Sequence, residues 1–474
     1  MACSQRASCL FAVRRPSTED RRVTEPRPST TPHVAVPRWR LGLVAPEPGG
    51  SAWRRQRTED PVGYRLHLWA ASIGLAMLTL PTSVMEFALL PVAIVSLIRA
   101  PRLVHAWGAL LLQPHMLAIG VWLLVGGVSY AWAPDRSAWL DEFGVARFAL
   151  LPLLIWPVLA DRNVLLRALL LGLLIGVGVQ ATHLAGVRFG IEAIDWGRKP
   201  GRVSGWWDPV VGGSLLTGGL GLCVGWAITR RGLTRVGIGA LVLITLAGIT
   251  LTGTRGAWLA SLGVLTIGGL WFVLAPSHAD TNGRARWRGL LLVGVGAAVL
   301  GAGVWLAAGA RIADRARAGY DEVAQAIEDR DFRSDTGMRL LLNAWAFEAF
   351  TQEPIAGVGA GGYRSWCADH AEAEGLAPDR YTLHGHAHNA YLHALATRGL
   401  IGAAGLGAGL ALVLLGAVRG STRCAPVAMA LVGLGCVGVF DCVQVNQQTA
   451  AMLFALVGLA PAWIPIERPS DRDP

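Results

Sequence analysis

Residues 399–418 read GLIGAAGLGAGLALVLLGAV, a run without a single charged or polar side chain. A helix of about 20 apolar residues is long enough to cross the hydrocarbon core of a bilayer. Similar apolar runs recur along the chain from Leu66 onward. Hydrophobic residues make up 53% of the chain and charged residues 16%, whereas soluble domains carry about 25% charged residues. The sequence therefore predicts an all-α polytopic membrane protein.

The apolar runs predict about twelve transmembrane helices. Their approximate bounds are 66–81, 82–98, 114–132, 145–160, 164–184, 210–228, 236–253, 257–275, 289–308, 399–418, 425–441 and 447–464. With the N-terminus inside, every short inside loop carries at least two arginines, as the positive-inside rule requires. The net charge of +10 is thus explained by topology. The sequence contains no basic patch with interleaved aromatic residues, which is the pattern that would indicate nucleic-acid binding.

These spans divide the chain into five parts. Residues 1–63 are rich in Arg, Pro, Ser and Thr and are predicted to form a disordered, basic cytoplasmic extension. The other predicted parts are transmembrane helices 1–9 (64–308), a large outside loop (309–398), transmembrane helices 10–12 (399–465) and a cytoplasmic tail (466–474). A loop of this length inside a compact domain is usually functional. The seven cysteines form no CxxC pair, so neither a disulfide framework nor a cysteine-ligated metal is expected.

Among the arginines predicted on the outer face, where arginine is disfavoured, three are candidates for a functional role. Arg202 lies in the connection 185–209, Arg255 in the tight turn TGTRGAW, and Arg339 in the large loop. Guanidinium groups stay charged and bind phosphate in a bidentate manner. The anion expected at that depth is a lipid phosphate or pyrophosphate, so these arginines are candidate substrate-binding residues.

The sequence TLHGHAHNAYLHALATR (382–398) stands directly before the apolar run and places His384, His386 and His388 at alternate positions. Imidazole suits zinc and copper, but no Cys, Asp or Glu stands at ligand spacing nearby, so a site without metal is favoured. His388 directly precedes the helical run and is the favoured general base, because the usual pKa of histidine lies near neutrality. His386 remains a second candidate base. His386 and Asn389 are both candidate substrate contacts.

The segment GVGAGG (357–362) fits the pattern GxGxxG, but no strand precedes it and no Rossmann unit follows. We therefore interpret it as a flexible turn that returns the large loop to the membrane. A backbone-amide cradle for a phosphate is the alternative.

One histidine and several arginines on the outer face suit glycosyl transfer from a lipid pyrophosphate. The histidine accepts the proton of an acceptor hydroxyl, and the arginines offset the charge on the leaving pyrophosphate. A flippase without catalysis is an alternative from another class. It would require ionisable residues along a transmembrane path, whereas Glu86, His183 and Asp441 all fall near the outer ends of the predicted spans.

These residues resemble the signature of the bacterial O-antigen ligase family. His388, Asn389, Gly399 and Gly402 fit its pattern H-N-x9-G-x-x-G. TGTRGAWLA, GRVSGWWDP and RLLLNAWAFEAFTQEPIAGVGAGGYRSW are similar to further segments of that family. The superfamily also contains O-antigen polymerases and pilin-glycosylating oligosaccharyltransferases, which share these motifs.

The resemblance implies a class C type glycosyltransferase that acts without metal or cofactor and inverts the anomeric carbon. His388 would be the catalytic base, Arg202 and Arg255 would bind the undecaprenyl pyrophosphate of the glycan donor, and Arg339 would support the pyrophosphate or the loop. The implied acceptor is the lipid A–core of lipopolysaccharide, or another glycan or a protein in a polymerase or oligosaccharyltransferase. The expected location is the bacterial inner membrane, with the active site facing the periplasm.

Overall fold

The computed structural model describes residues 56–196, 201–230, 232–274, 309–310, 313–377, 385–420 and 424–463, and no β-strand occurs in these ranges. The predicted span 289–308, the predicted tail and most of the predicted N-terminal extension lie outside them. The first ten α-helices are α1 (Pro61–Met77), α2 (Thr82–Ile98), α3 (Ala100–Leu111), α4 (Pro114–Val128), α5 (Arg136–Gly144), α6 (Leu151–Ile155), α7 (Arg162–Phe189), α8 (Pro209–Thr229), α9 (Leu233–Leu251) and α10 (Arg255–Leu274). The large loop and the C-terminal part add α11 (residues 313–328), α12 (Asp335–Gln352), α13 (Gly362–Ala373), α14 (Ala390–Gly420), α15 (Ala425–Val437) and α16 (Gln447–Gly458).

Five helical stretches in the described ranges are long and apolar enough to cross a membrane. They are Pro114–Ala131, Arg136–Phe189, Pro209–Thr229, Leu233–Leu251 and Ala390–Arg419. A sixth is reached if α2 and α3 count as one span, although they meet at a bend of 103°. The protein is therefore an all-helical membrane protein, and the count of about twelve spans remains a prediction.

Several predicted spans are short or interrupted in the structure. The predicted span 145–160 consists of two 3-10 helices, Val145–Leu150 and Trp156–Asp161, on either side of the five-residue α6. Two prolines, at positions 152 and 157, lie within this stretch. Proline has no backbone N–H and fixes φ, so it interrupts a regular helix. Short 3-10 helices also occur at Ser129–Ala131 and Glu192–Ile194.

Helix α8 is the most deeply enclosed of the five spans and packs against α9, α10 and α15. A Cβ atom on Gly221 would lie 2.1 Å from the carbonyl oxygen of Met429, and one on Gly225 would lie 2.4 Å from Cα of Pro426. Small residues at such positions let two membrane helices approach backbone to backbone. The segment with Arg202 leads into α8, and α15 ends just before Asp441, so this contact fixes two parts of the candidate site.

Helix α14 begins at Ala390, earlier than the predicted start at 399, and packs against α4 and α12. It bends at Gly399, where φ is +57°. A Cβ atom on Gly399 would lie 2.3 Å from the backbone carbon of Ile355, so only glycine fits there. The histidine stretch therefore leads directly into a membrane helix whose first turns pack beneath the large loop.

The outer faces of these helices are apolar. Trp69, Phe87, Leu97, Ile98 and Leu262 are each more than half exposed. Exposed apolar surface of this extent is expected where helices face lipid rather than water.

Candidate functional site

A cavity of about 640 Å³ lies where α8, α10, α11 and α12 meet the start of α14. Its apolar wall includes Trp258, Leu259, Leu340, Val439 and Phe440. Its polar wall contains five of the six predicted site residues, namely Arg202, Arg255, Arg339, His388 and Asn389. Because cationic and apolar groups share its wall, the cavity suits a ligand with both a lipid part and an anionic part.

Arg202 stands in a segment that is tied to the membrane helices. Gln180 of α7 donates a hydrogen bond of 2.7 Å to the carbonyl oxygen of Val203. Burial lowers the pKa of Arg202, and the positive charges of Arg315 and Arg339 lower it further, whereas the carboxylates of Asp335 and Asp208 raise it. An anion in the cavity would offset this repulsion, so the electrostatics of the site favour an anionic ligand.

Arg255 begins α10, and its guanidinium meets a carboxylate from the large loop. Its Nη2 donates to Oε2 of Glu322 on α11 at 2.8 Å. The hydroxyl and the backbone N–H of Thr336 donate to the same oxygen. Burial alone would raise the pKa of Glu322, but the hydrogen bonds from Thr336 and Arg255 outweigh it, so the pKa lies below its usual value. Sequence reasoning missed Glu322, which lies in a charged helical segment without a motif.

Arg339 links the large loop to the turn that follows α15. It lies on α12, where the hydroxyl of Ser334 caps the helix by accepting a hydrogen bond of 3.0 Å from the backbone N–H of Gly337. Its Nη1 donates to the carbonyl oxygen of Phe440 at 3.4 Å. The third cation of the cavity thus comes from the loop rather than from a membrane helix.

His388 lies immediately before α14 and is 7% exposed. Its φ is +53°, a left-handed conformation that residues other than glycine rarely adopt. Asn389 caps α14, because its Oδ1 accepts hydrogen bonds from the backbone N–H groups of Tyr391 and Leu392 at 3.0 and 3.1 Å. The left-handed backbone conformation of His388 costs about 1–3 kcal/mol and persists only where neighbouring contacts impose it. Such strain is common at functional sites.

The turn 438–446 brings Asp441 beside His388. Asp441 Oδ1 lies 3.9 Å from His388 Nδ1, and the Asp441 side chain is buried. Burial raises the pKa of Asp441, and the positive charge of Arg339 opposes this rise. The backbone N–H of Ala390 donates to the carbonyl oxygen of Gly438 at 2.7 Å and ties the turn to the start of α14. The sequence showed Asp441 only as an ionisable residue near a span end, because its partner lies on another helix.

His386 lies against His388, with ring centroids 4.4 Å apart. The backbone N–H of His388 donates to Nδ1 of His386 at 3.3 Å. His386, His388 and Asp441 offer ligand atoms within 4.8 Å of one another, so these three residues could hold a metal ion. The acidic ligand that is missing from the local sequence is thus supplied by the fold. His384 lies outside the described residues.

The glycine-rich segment 357–362 is not a phosphate cradle, because each of its six backbone N–H groups already donates to an acceptor within the protein. The acceptors, in order, are the backbone oxygens of Glu353, Ala396 and Thr397, the Ser129 hydroxyl, the Glu142 carboxylate and the backbone oxygen of Gly359. The segment is nevertheless a turn that returns the large loop to the membrane helices. It packs closely against α5, where a Cβ atom on Gly361 would lie 2.4 Å from the carbonyl oxygen of Ala138.

Fold and site together define an all-helical membrane protein with a cationic cavity and a buried histidine in its wall. Residues 239–407 match a family model described as O-antigen ligase. Over this region the chain is similar to the O-antigen ligase family. The matched region contains Arg255, Arg339 and the histidine stretch, whereas Arg202 and Asp441 lie outside it. No curated protein matches the chain.

Proposed function

We propose that this protein is a membrane glycosyltransferase that transfers a glycan from undecaprenyl pyrophosphate to the lipid A–core of lipopolysaccharide. The observation that carries the proposal is a single cavity lined by His388 together with Arg202, Arg255 and Arg339. The apolar wall beside these groups suits the lipid of the donor, and the arginines suit its pyrophosphate.

In the proposed reaction an acceptor hydroxyl oxygen attacks the anomeric carbon of the donor glycan. The bond from that carbon to the pyrophosphate oxygen breaks, and the anomeric carbon inverts. His388 takes the hydroxyl proton, and the lipid pyrophosphate leaves as an anion. The arginines stabilise the negative charge that develops on the leaving group. No metal or cofactor takes part in these steps.

Asp441 has a supporting part in this mechanism. Because it faces Nδ1 of His388 at 3.9 Å, we assign the incoming proton to Nε2. At 3.9 Å the two groups are not hydrogen-bonded, and burial raises the pKa of Asp441; the imidazolium that forms on His388 favours the charged carboxylate, which in turn stabilises it. Proton transfer to a positioned histidine contributes about 100- to 10,000-fold to the rate of such reactions.

The proposed location is the bacterial inner membrane, with the cavity facing the periplasm. With another acceptor the same chemistry would make the protein an O-antigen polymerase or a protein O-oligosaccharyltransferase. A flippase would move the glycan lipid without breaking its bond to pyrophosphate.

Glycan transfer by the purified protein tests the proposal. A lipid pyrophosphate-linked glycan is supplied with lipid A–core, with a second glycan lipid or with a peptide, and the product identifies the acceptor. We expect transfer to lipid A–core, and a loss of about 100-fold or more in His388→Ala and Arg255→Ala. Arg255→Lys keeps the charge but not the bidentate fork, so we expect a large loss there too.

His370→Ala and Arg333→Ala are the matched controls. His370 lies on α13 and contacts Glu348 and Glu374, and the side chain of Arg333 is 83% exposed. Both variants should retain activity. If His388→Ala and Arg255→Ala also retain full activity while folded, the proposed mechanism is wrong.

A further inference from the structure

Glu142 on α5 is a buried carboxylate that contacts two segments far from it in the sequence, the glycine-rich turn and the first half of α14. Its Oε2 accepts a hydrogen bond of 2.8 Å from the backbone N–H of Gly361. The same oxygen lies 3.4 Å from Nε2 of His393, and Oε1 lies 3.6 Å from Nη2 of Arg398. One carboxylate thus joins the glycine-rich turn to the first half of α14.

The groups around Glu142 are removed from water. Arg398 is 2% exposed and its guanidinium carbon lies 4.0 Å from the ring centroid of Trp122, while His393 is fully buried. Removing one partner of a buried ion pair leaves an uncompensated charge, so such contacts hold their elements firmly in place. The neighbouring contact from the backbone N–H of Ala360 to the Ser129 hydroxyl, 3.0 Å long, adds to the same junction.

One of the two segments that Glu142 joins is the start of α14, which directly follows the proposed base. The backbone N–H of His393 donates to the carbonyl oxygen of Asn389 at 2.9 Å, which is the first turn of α14. The ring of His393 also lies 6.4 Å from the ring of His386. His388 has a strained left-handed backbone, so its direction depends on what holds that first turn.

We infer that Glu142 is a positioning residue that holds the His388 side chain in place from α5, through His393, Arg398 and the Gly361 amide. This inference rests on the proposed function in so far as His388 is the base. Glu142 does not line the cavity. It therefore contributes to turnover and not to donor binding, because the donor arginines lie on other elements.

Glu142→Gln tests the inference, because glutamine keeps the shape and can still accept from Gly361 but loses the charge that holds His393 and Arg398. We expect kcat to fall about 10- to 100-fold, since a small misplacement of a reacting group costs on that order. The KM for the lipid-linked donor should stay within about twofold, as expected when only an interaction needed in the transition state is lost. Unchanged kcat, or a loss confined to KM, would overturn the inference.

Hydrogen–deuterium exchange of the full-length protein in detergent supplies a readout that needs no substrate. In Glu142→Gln, peptides that cover 357–362 and 386–393 should exchange faster, while peptides from α8 should not change. This result separates the inference from the proposed function, since it is expected even if no glycan transfer is found. Exchange that is the same as in the wild type would refute the inference.

A matched control and a double variant separate positioning from general destabilisation. Asp60→Asn removes the carboxylate that lies 2.9 Å from the buried Arg99. Neither residue lines the cavity, so this variant should leave kcat unchanged. Glu142→Gln with Arg398→Met removes both charges, so thermal stability should recover while kcat stays low. If kcat recovers together with stability, Glu142 only neutralises a buried charge and the inference fails.

Discussion

Arg255 meets a carboxylate before any substrate arrives. In the proposed function, Glu322 and an anionic donor would compete for the same guanidinium, while Thr336 donates hydrogen bonds to the carboxylate. The pKa of Glu322 lies below its usual value of 4.5. The carboxylate therefore stays charged at higher pH and is neutralised only when the pH falls below that value. At neutral pH the competition is therefore fully present.

Glu322→Gln should strengthen donor binding. A partly exposed ion pair is worth about 0–1 kcal/mol, so the dissociation constant for a lipid pyrophosphate should fall by up to about fivefold. Binding of undecaprenyl pyrophosphate to the purified variant measures this directly, with the exposed Glu353→Gln as control. Weaker binding in Glu322→Gln would show that Glu322 holds Arg255 in a productive position instead.

Zinc should inhibit the enzyme. Its three possible ligands, His386, His388 and Asp441, include the proposed base, and a bound metal would occupy the nitrogen atoms that the mechanism needs. We expect initial rates of glycan transfer to fall with added Zn²⁺ and to recover on addition of EDTA. Mg²⁺, which prefers oxygen ligands, serves as the control and should have no such effect.

The opposite result would change the mechanism. Loss of activity on chelation, followed by recovery with Zn²⁺, would make the same three residues a catalytic metal site.

At the level of elements, the glycine-rich turn depends on a backbone conformation and on close packing. Gly361 has a φ of +72°, and a Cβ atom there would lie 2.4 Å from the carbonyl oxygen of Ala138 on α5. Gly375 has nearly the same φ, +70°, but no atom within 4 Å of the Cβ position. Comparing alanine substitutions at Gly361 and Gly375 therefore separates the effect of backbone strain from the effect of steric exclusion.

Gly361→Ala should be less stable than Gly375→Ala. Both variants carry the same left-handed strain of about 1–3 kcal/mol, but only Gly361→Ala must also move α5 away from the turn. Thermal unfolding in detergent measures the difference as a lower Tm, and glycan transfer should fall in parallel. Equal Tm values would show that the turn tolerates separation from α5.

How far the sequence predicts these elements depends on what holds them. Apolar runs predict α8, α9 and α14 because length and hydrophobicity suffice for a membrane helix. They fail at 145–160, where prolines divide one expected span into short pieces. Likewise, the motif residues around His388 are visible in the sequence. Asp441, Glu322 and Glu142 are not, because each acts through a partner far away in the chain.

At the level of the whole molecule, the loop arginines predict that the start of α9 lies on the cytoplasmic side and the large loop on the periplasmic side. A cysteine in place of Asp329, exposed in the large loop, should react with a membrane-impermeant maleimide added from the periplasmic side. A cysteine in place of Leu233, which is 90% exposed at the start of α9, should react only after the inner membrane is opened.

Both variants are made with Cys3 and Cys9, which lie outside the described residues, replaced by serine. Among the described residues, Cys223, Cys367, Cys424 and Cys442 are buried and Cys436 is half-buried, so their background labelling should be low. Labelling of the cysteine at position 233 from outside, with protection of the one at 329, would reverse the proposed orientation.

The backbone contact between α8 and α15 has a consequence for the size of substrates. Helices α8 and α15 touch through Gly221 and Gly225, with no intervening side chains that could repack. The distance between the two helices is therefore fixed. The segment with Arg202 stands before α8, and Asp441 follows α15. We therefore expect every donor, however long its glycan, to present its first sugar to His388 at the same distance. The remaining sugars of a longer glycan would then lie outside the cavity.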